Sequence, residues 1–417
     1  MREHPFRRQV IEEMHLRRWP PLTAPGSMIQ VMRIVATEER EEERAQLRAA
    51  LGVTSETINP DARHISGELA PGLTFTYERH TEGSSVAIFI SPNVADADRA
   101  AARSWVENLP GLVVRATEIS LVADKDAAEE LIPEIGLRRI DTVSCRTDDG
   151  VCFWSDYLLH ENGFGRLIVA ACGADPATLS RRVRQVQELG NYRNLALLGL
   201  PAVREQWPEL DEIERKLRAF AQSVSDPNTR DDALLEDVSN LSLELATLNN
   251  AIGYRLDATK AYATLVSERL EDLGASPVPD FQSLTDFIRR RFLPAERTCA
   301  AHYARLQHLT NRAADVTALL RARIETRIEN QNALLLKSME RRATMQLRLQ
   351  QLVEGLSIVA ISYYAIGLLA YMLKGAAHVM PIDDLELVIG LAVPVVMLVI
   401  WQAMRIAKRR VIGDLDI

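Results

Sequence analysis

The sequence predicts an α+β N-terminal cytoplasmic domain, then a helical domain, a long stalk helix and a C-terminal two-helix transmembrane hairpin. Three observations predict it. Strand patterns mingle with helices up to about Gly173, and helical periodicity alone follows. From Ala295 to Glu354 the chain has neither Gly nor Pro. Two runs near the C-terminal end, Gly355 to Leu373 and Leu387 to Met404, carry no charge.

The strands come first, within residues 1–173. "MIQVMRIV" (28–35) reads as a strand, and Thr37 to Ala50 as an acidic helix stopped by Gly52. "LTFTYER" (73–79) and "SSVAIFI" (84–90) flank a turn at Glu82-Gly83, and "LVVRATEISLV" (112–122) is another strand. "DTVSCR" (141–146) and "VCFWSDYLLH" (151–160) form a hairpin, with Asp149-Gly150 supplying the positive φ of the turn. Asn162-Gly163 then turns the chain into "GRLIVAA". The four cysteines are too few and too irregular for a disulfide scaffold, so Cys145 and Cys152 are expected as reduced, half-buried thiols.

Residues 174–294 read as helical. Asp175-Pro176 caps a helix through "RRVRQVQELGNYRNLALLGL". Pro201 starts another toward Val224, and a long one covers Thr229 to Leu273. "GASPVPD" is a linker, and Ser283 to Phe292 a short helix ended by Pro294. The stalk, 295–354, repeats Leu306, Leu309, Ala313, Val316, Leu320, Ile324, Ile328, Leu335 and Met339 at helical spacing. A helix this long must pack on the preceding helices, on other copies of itself, or on both.

The uncharged runs, 355–373 and 387–404, each span roughly 27–29 Å as a helix, close to the ~30 Å hydrocarbon core. Arg341, Arg342 and Arg348 precede the first; Arg405, Lys408, Arg409 and Arg410 follow the second, in the tail 405–417. The connection 374–386 holds Lys374 against Asp383, Asp384 and Glu386. This asymmetry places both termini in the cytoplasm and the acidic loop outside. The same arginines and lysine are candidates for contact with anionic lipid. The first thirty residues are charged throughout, so no cleaved signal peptide is expected.

Charge and motifs exclude several classes. A net charge of −8 and a pI near 5.6 argue against a nucleic-acid partner. No phosphate-binding Gly-rich loop, HExxH, paired CxxC or nucleophile elbow occurs, so neither enzyme, cofactor nor metal site is expected. Cys299 and His302, three apart on a helix, would make half a metal site; without a second pair, packing is the expected role. Arg289, Arg290 and Arg291 suit phosphate or lipid headgroups, but an exposed basic face is the simpler reading.

One pattern crosses the boundary into the first apolar run. Gln346, Gln350, Val353, Ser357, Ala360, Tyr364, Gly367 and Tyr371 alternate by four and three, as the a/d positions of a coiled coil do. The opposite face, with Leu352, Leu356, Ile366, Leu369 and Leu373, is apolar. Two readings stand. Ala360 and Gly367 permit close helix packing, with Ser357 bonding between helices and the tyrosines as ordinary interfacial anchors. Alternatively, several copies surround an axis and the polar seam lines a pore. Pro394 implies a kink that suits an outer, lipid-facing helix.

Four stretches carry a resemblance: "HPFRR", "YRNLALLGLP" (192–201), "RTC" (297–299) and "QNALLLKSMERRATMQLRLQQLVEGLSIVAISYYAIGLLAYMLK". With them nearly the whole chain resembles a bacterial family of predicted membrane-anchored proteins, domain of unknown function 3422. The resemblance implies anchoring, here in the bacterial inner membrane. The layout is also similar to CorA-type magnesium channels, which are pentamers with a stalk helix, two spans and an acidic outer loop. Their Gly-Met-Asn signature is missing; "AYMLKGAAHVMP" stands there, with Lys374 where a cation filter is expected. The expected function is that of a CorA-like homo-oligomeric ion-permeation protein with a cation as ligand. The alternative is a membrane-tethered scaffold or sensor whose cytoplasmic domain binds another protein.

Overall fold

The computed structural model describes residues 19–51, 62–224, 230–376 and 385–413, with pieces of the first eleven; at 385 and 408–413 it describes backbone only. The chain divides into two units, Met1–Ala318 and Leu319–Ile417.

The first unit is built on β1 (Gly26–Ile34), β2 (His64–Ala70), β3 (Leu73–Arg79), β4 (Gly83–Ile90), β5 (Leu112–Val122), β6 (Val143–Arg146), β7 (Cys152–Ser155), β8 (Gly165–Ala170) and β9 (Gln282–Ser283). They form one mixed sheet in the order β2-β3-β4-β1-β5-β8-β7-β6-β9. The β5–β8 and β6–β9 pairs are parallel, and the others antiparallel.

Helices cover both faces, which is why the central strands read as unbroken apolar runs. Ile29, Val31, Val86 and Ile88 pack with Leu47 of α1 (Arg40–Leu51) and with Ala102 and Val106 of α2 (Asp96–Glu107). On the same face, Trp154 and Ile168 meet Ala128 and Ile132 of α3 (Lys125–Glu134). Strand residues of the other parity (Met28, Phe89, Ile119, Leu121, Phe153, Leu167) join Leu179, Val183 and Val186 of α4 (Pro176–Leu197). Asp175 caps α4 as its sequence predicts, accepting from the N–H groups of Ala177 and Thr178 at 3.0 Å each.

The remaining helices are α5 (Gly199–Ser223), α6 (Asp231–Asp272), α7 (Leu284–Ala376) and α8 (Leu385–Gly413). Ala263 and Val266 of α6, with Leu284, Ile288 and Phe292 of α7, complete the core that holds Phe153 and Leu167. Residues on either side of position 173 therefore share one core. The four cysteines are free thiols, three of them buried, and burial beside Cys152 pushes the Cys145 thiol up to about 12.

Two features depart from expectation. The strand β2, "HISGELA", carries too few apolar residues to announce itself and is held by its register with β3. Pro294 does not end a helix: α7 runs through it from Leu284. An internal proline costs about 3 kcal/mol. Burial of Leu284, Ile288 and Phe292 before it and of Cys299 and Leu306 after it holds the helix together.

Candidate functional site

The apolar end of α7 and the helix α8 are the part of the chain with the plainest physical meaning. Both are long and apolar enough to cross a membrane. Of their most apolar stretches only 6% and 0% is buried within the protein, which separates them from core helices of a soluble body.

Burial along α7 is one-sided. Ile358, Ala365, Ile366, Leu369 and Leu373 are half-buried, and Ser362 is buried at 2% exposure. At 100° per residue these lie on one side of the helix. The heptad seam lies on the other. Gln346, Gln350, Val353, Ala360, Tyr364 and Tyr371 are exposed, and Ser357 and Gly367 half-buried. Tyr364 and Tyr371 are 73% and 77% exposed, so nothing among the described residues covers these two rings. The Ser357 hydroxyl donates to its own helix, at the Val353 carbonyl 2.8 Å away, rather than to another helix. A Cβ added at Gly367 would meet nothing within 4 Å.

The charged flanks fall as follows. Arg341, Arg342 and Arg348 are exposed on α7. Glu386 is exposed in the first turn of α8, where its charge suits the helix dipole. Asp383 and Asp384 lie outside the described residues. Arg405 sits over the Trp401 ring at 5.1 Å; Lys408, Arg409 and Arg410 continue α8, described by backbone alone.

The family model described as Protein of unknown function (DUF3422) matches residues 2–411. The chain belongs to this family. No curated protein matches it.

In this DUF3422 chain, other polar residues of note lie in the sheet unit, where no motif had singled them out. One cavity of about 250 Å³ holds Glu78, Arg184, Glu188 and Arg269, whose charges answer each other: Arg184–Glu188 and Arg269–Glu188 at 2.9 Å, Arg184–Glu78 at 3.3 Å. A second, of about 370 Å³, is lined by Arg115, Arg166 and Arg193 with Thr117, Ser155, Tyr157 and Asn194. No Asp or Glu is among its described lining residues. Cys299 and His302 are both buried, at 2% and 0% exposure, and His302 packs 5.7 Å from Trp207. Among the described residues no group of three or more His, Cys, Asp or Glu side chains is placed to hold a metal.

Proposed function

We propose that this chain is a bacterial inner-membrane protein whose α7 and α8 hairpin anchors a cytoplasmic sheet unit, and that copies associate through the seam of α7. One observation carries the association. Residues 326–350 of α7 are exposed on every side, and Ile328, Leu334, Leu335, Leu336, Met339, Met345, Leu347 and Leu349 are among them. A helix with that much apolar surface needs a partner, since each such side chain gains about 1.5–3 kcal/mol on full burial. The heptad spacing from Gln346 to Tyr371 favours another copy of the same helix. Among the described residues nothing lies within 4 Å of where a Cβ at Gly367 would stand, and a second helix gives the glycine a use.

The polar character of that seam supports a second reading, ion permeation in the manner of CorA channels. Ser357, Tyr364 and Tyr371 would face an axis, with Asp383, Asp384 and Glu386 gathered near its outer mouth. In the first reading the body is a scaffold or sensor that binds another protein; neither reading makes the chain an enzyme.

Native mass spectrometry of the detergent-solubilised chain tests association. Gly367→Leu should reduce the particle's subunit number, and Ile366→Leu on the covered face should leave it unchanged. A monomeric wild type, or equal effects of the two, would refute the seam. Flux into proteoliposomes tests permeation: Asp383→Asn/Asp384→Asn/Glu386→Gln should lower cation flux most at low ionic strength. No flux from a verified oligomer leaves the scaffold reading. Impermeant maleimide in intact cells tests orientation in a cysteine-free background. Gly375→Cys should react and Ala407→Cys should not; the reverse pattern would overturn it.

A further inference from the structure

Arg115 is an unusual residue for its place. It lies on β5, on the face of the sheet whose later members Ile119 and Leu121 are buried in the core. Its Nη1 donates to three neutral oxygens: Gln187 Oε1 at 2.6 Å, Asn191 Oδ1 at 3.1 Å and Gln30 Oε1 at 3.4 Å. No carboxylate reaches it among the described residues. Its guanidinium lies against Gly190 of α4, where an added Cβ would sit 2.7 Å from both Nε and Cζ. The helix thus keeps a glycine where the arginine needs room.

Arg193, one turn further along α4, brings a second positive charge to the same place. Its Nε and Nη2 donate to Asn194 Oδ1 at 3.3 and 3.1 Å, and its Cζ stands 4.5 Å from the centre of the Tyr157 ring. Again no carboxylate is paired with it among the described residues. Burial pushes the Arg115 guanidinium down to about 9, with repulsion from Arg193 the next cause, and burial lowers Arg193 as well. Two neighbouring cations desolvated without an acid are costly, and an anion between them would relieve both burial and repulsion.

Both arginines keep part of their surface accessible, and both line the cavity of about 370 Å³, a size suited to a small organic molecule. Thr117 and Ser155 line it too. Ser155 Oγ accepts the Tyr157 N–H at 3.2 Å, which leaves its own proton to donate. Arg166 borders the cavity, but its Nη1 is already engaged by the Ile135 carbonyl. Tyr157 stacks on Phe287 at 4.9 Å and has a φ of 56°, a strained conformation for a bulky residue and one that recurs at ligand clamps. Val113, Leu158 and Leu159 are exposed cavity-lining residues that offer apolar surface to the rest of a ligand.

We propose that this cavity binds a small organic oxyanion, a carboxylate or phosphate monoester, with its charged head on Arg115 and Arg193 and its apolar body against Leu158 and Leu159. The inference stands apart from the membrane reading and does not depend on it.

The test uses the full chain in detergent, titrated with inorganic phosphate and with benzoate against chloride at matched ionic strength. Calorimetry and thermal unfolding are the readouts. At least one probe should bind saturably, once per chain, and raise the unfolding temperature above the chloride control. Arg193→Gln should weaken that binding at least tenfold, while Arg290→Gln, an exposed arginine outside the cavity, should not change it. Arg115→Gln should act as Arg193→Gln does; if it fails to fold, Arg193→Gln decides alone. The tighter probe names the head group. Absence of saturable binding by either probe, or equal losses in Arg193→Gln and Arg290→Gln, would overturn the site.

Discussion

Arg255 of α6 and Glu82, the residue before β4, meet in a two-point ion pair, with Nη1 to Oε2 at 3.1 Å and Nη2 to Oε1 at 2.8 Å. The Tyr262 hydroxyl donates to the same Oε2 at 3.2 Å. The pair ties the helical layer to the sheet across 173 residues of sequence.

Removing one partner leaves the other desolvated and unanswered. The Glu82 side chain is only 6% exposed and that of Arg255 21%. Glu82→Gln should therefore cost about 2–4 kcal/mol, less than a fully buried pair would because Arg255 still reaches water. Arg255→Met in the same chain should recover part of the loss. Denaturant unfolding of the four members of the cycle measures it; strict additivity would show that the pair is not coupled.

Gly83 and Gly150 are predicted to differ sharply on substitution by alanine. At Gly83 the new Cβ would fall 1.7 Å from the Arg33 carbonyl oxygen, and backbone atoms are slow to give way. A loss of about 3 kcal/mol or more is expected. Gly150 has open space around it and only its φ of 89° to protect, so alanine there should cost about 1–2 kcal/mol. Unfolding temperatures of the two variants rank them.

His302 should give the sheet unit a pH dependence. Burial, then the charge of Arg305, lowers its pKa below the usual 6.5, and neither ring nitrogen has a partner among the described residues. The folded state keeps the ring neutral while the unfolded chain takes up a proton as pH falls through 6.5. The unfolded state then binds more protons, so stability is full above about pH 6.5 and declines below it. His302→Phe should flatten the slope between about pH 6.5 and 5, before most carboxylates titrate. An unchanged slope would assign it elsewhere.

Ser362 is buried on α7 and its hydroxyl has no partner among the described residues. Ser362→Ala should leave the chain as stable or stabilise it by up to about 1 kcal/mol, because a desolvated, unbonded hydroxyl is lost. Ser362→Leu should destabilise it by about 1–3 kcal/mol through overpacking. Tyr364→Ala, on the exposed seam, should alter subunit number and not the stability of the single chain. Thermal unfolding and particle mass separate the two effects.

Much of the architecture was legible because it is local. The hairpins at Gly150 and Gly163 follow from residues that tolerate positive φ, and the Asp175-Pro176 cap from a side chain and a ring beside the helix they start. The continuation of α7 through Pro294 was not legible, since it depends on what Ile288 and Phe292 touch. Nor do the helices α2 and α3 stand out in the sequence from the strands that flank them. The Arg115–Arg193 cradle depends on a tertiary meeting of β5 with α4, and no spacing announces it. One signal was available: in "LVVRATEISLV" the arginine has the same parity as Ile119 and Leu121, so it points to the covered face of the sheet. A charge at such a position asks what it serves.

The two-residue strand β9 has a consequence for the order in which the molecule is made. It pairs with β6, and α7 starts at the next residue. Until Ser283 has emerged during synthesis, β6 is an open sheet edge; until Phe292 has emerged, the core beneath it lacks a wall. The first unit runs on to Ala318, and at roughly 5–20 residues per second the stretch from there to Gly355 takes on the order of 2–7 seconds to translate. The first unit is thus translated in full before the ribosome starts on the apolar run. Synthesis of the sheet and synthesis of the apolar run are separated in time by the helix that joins them.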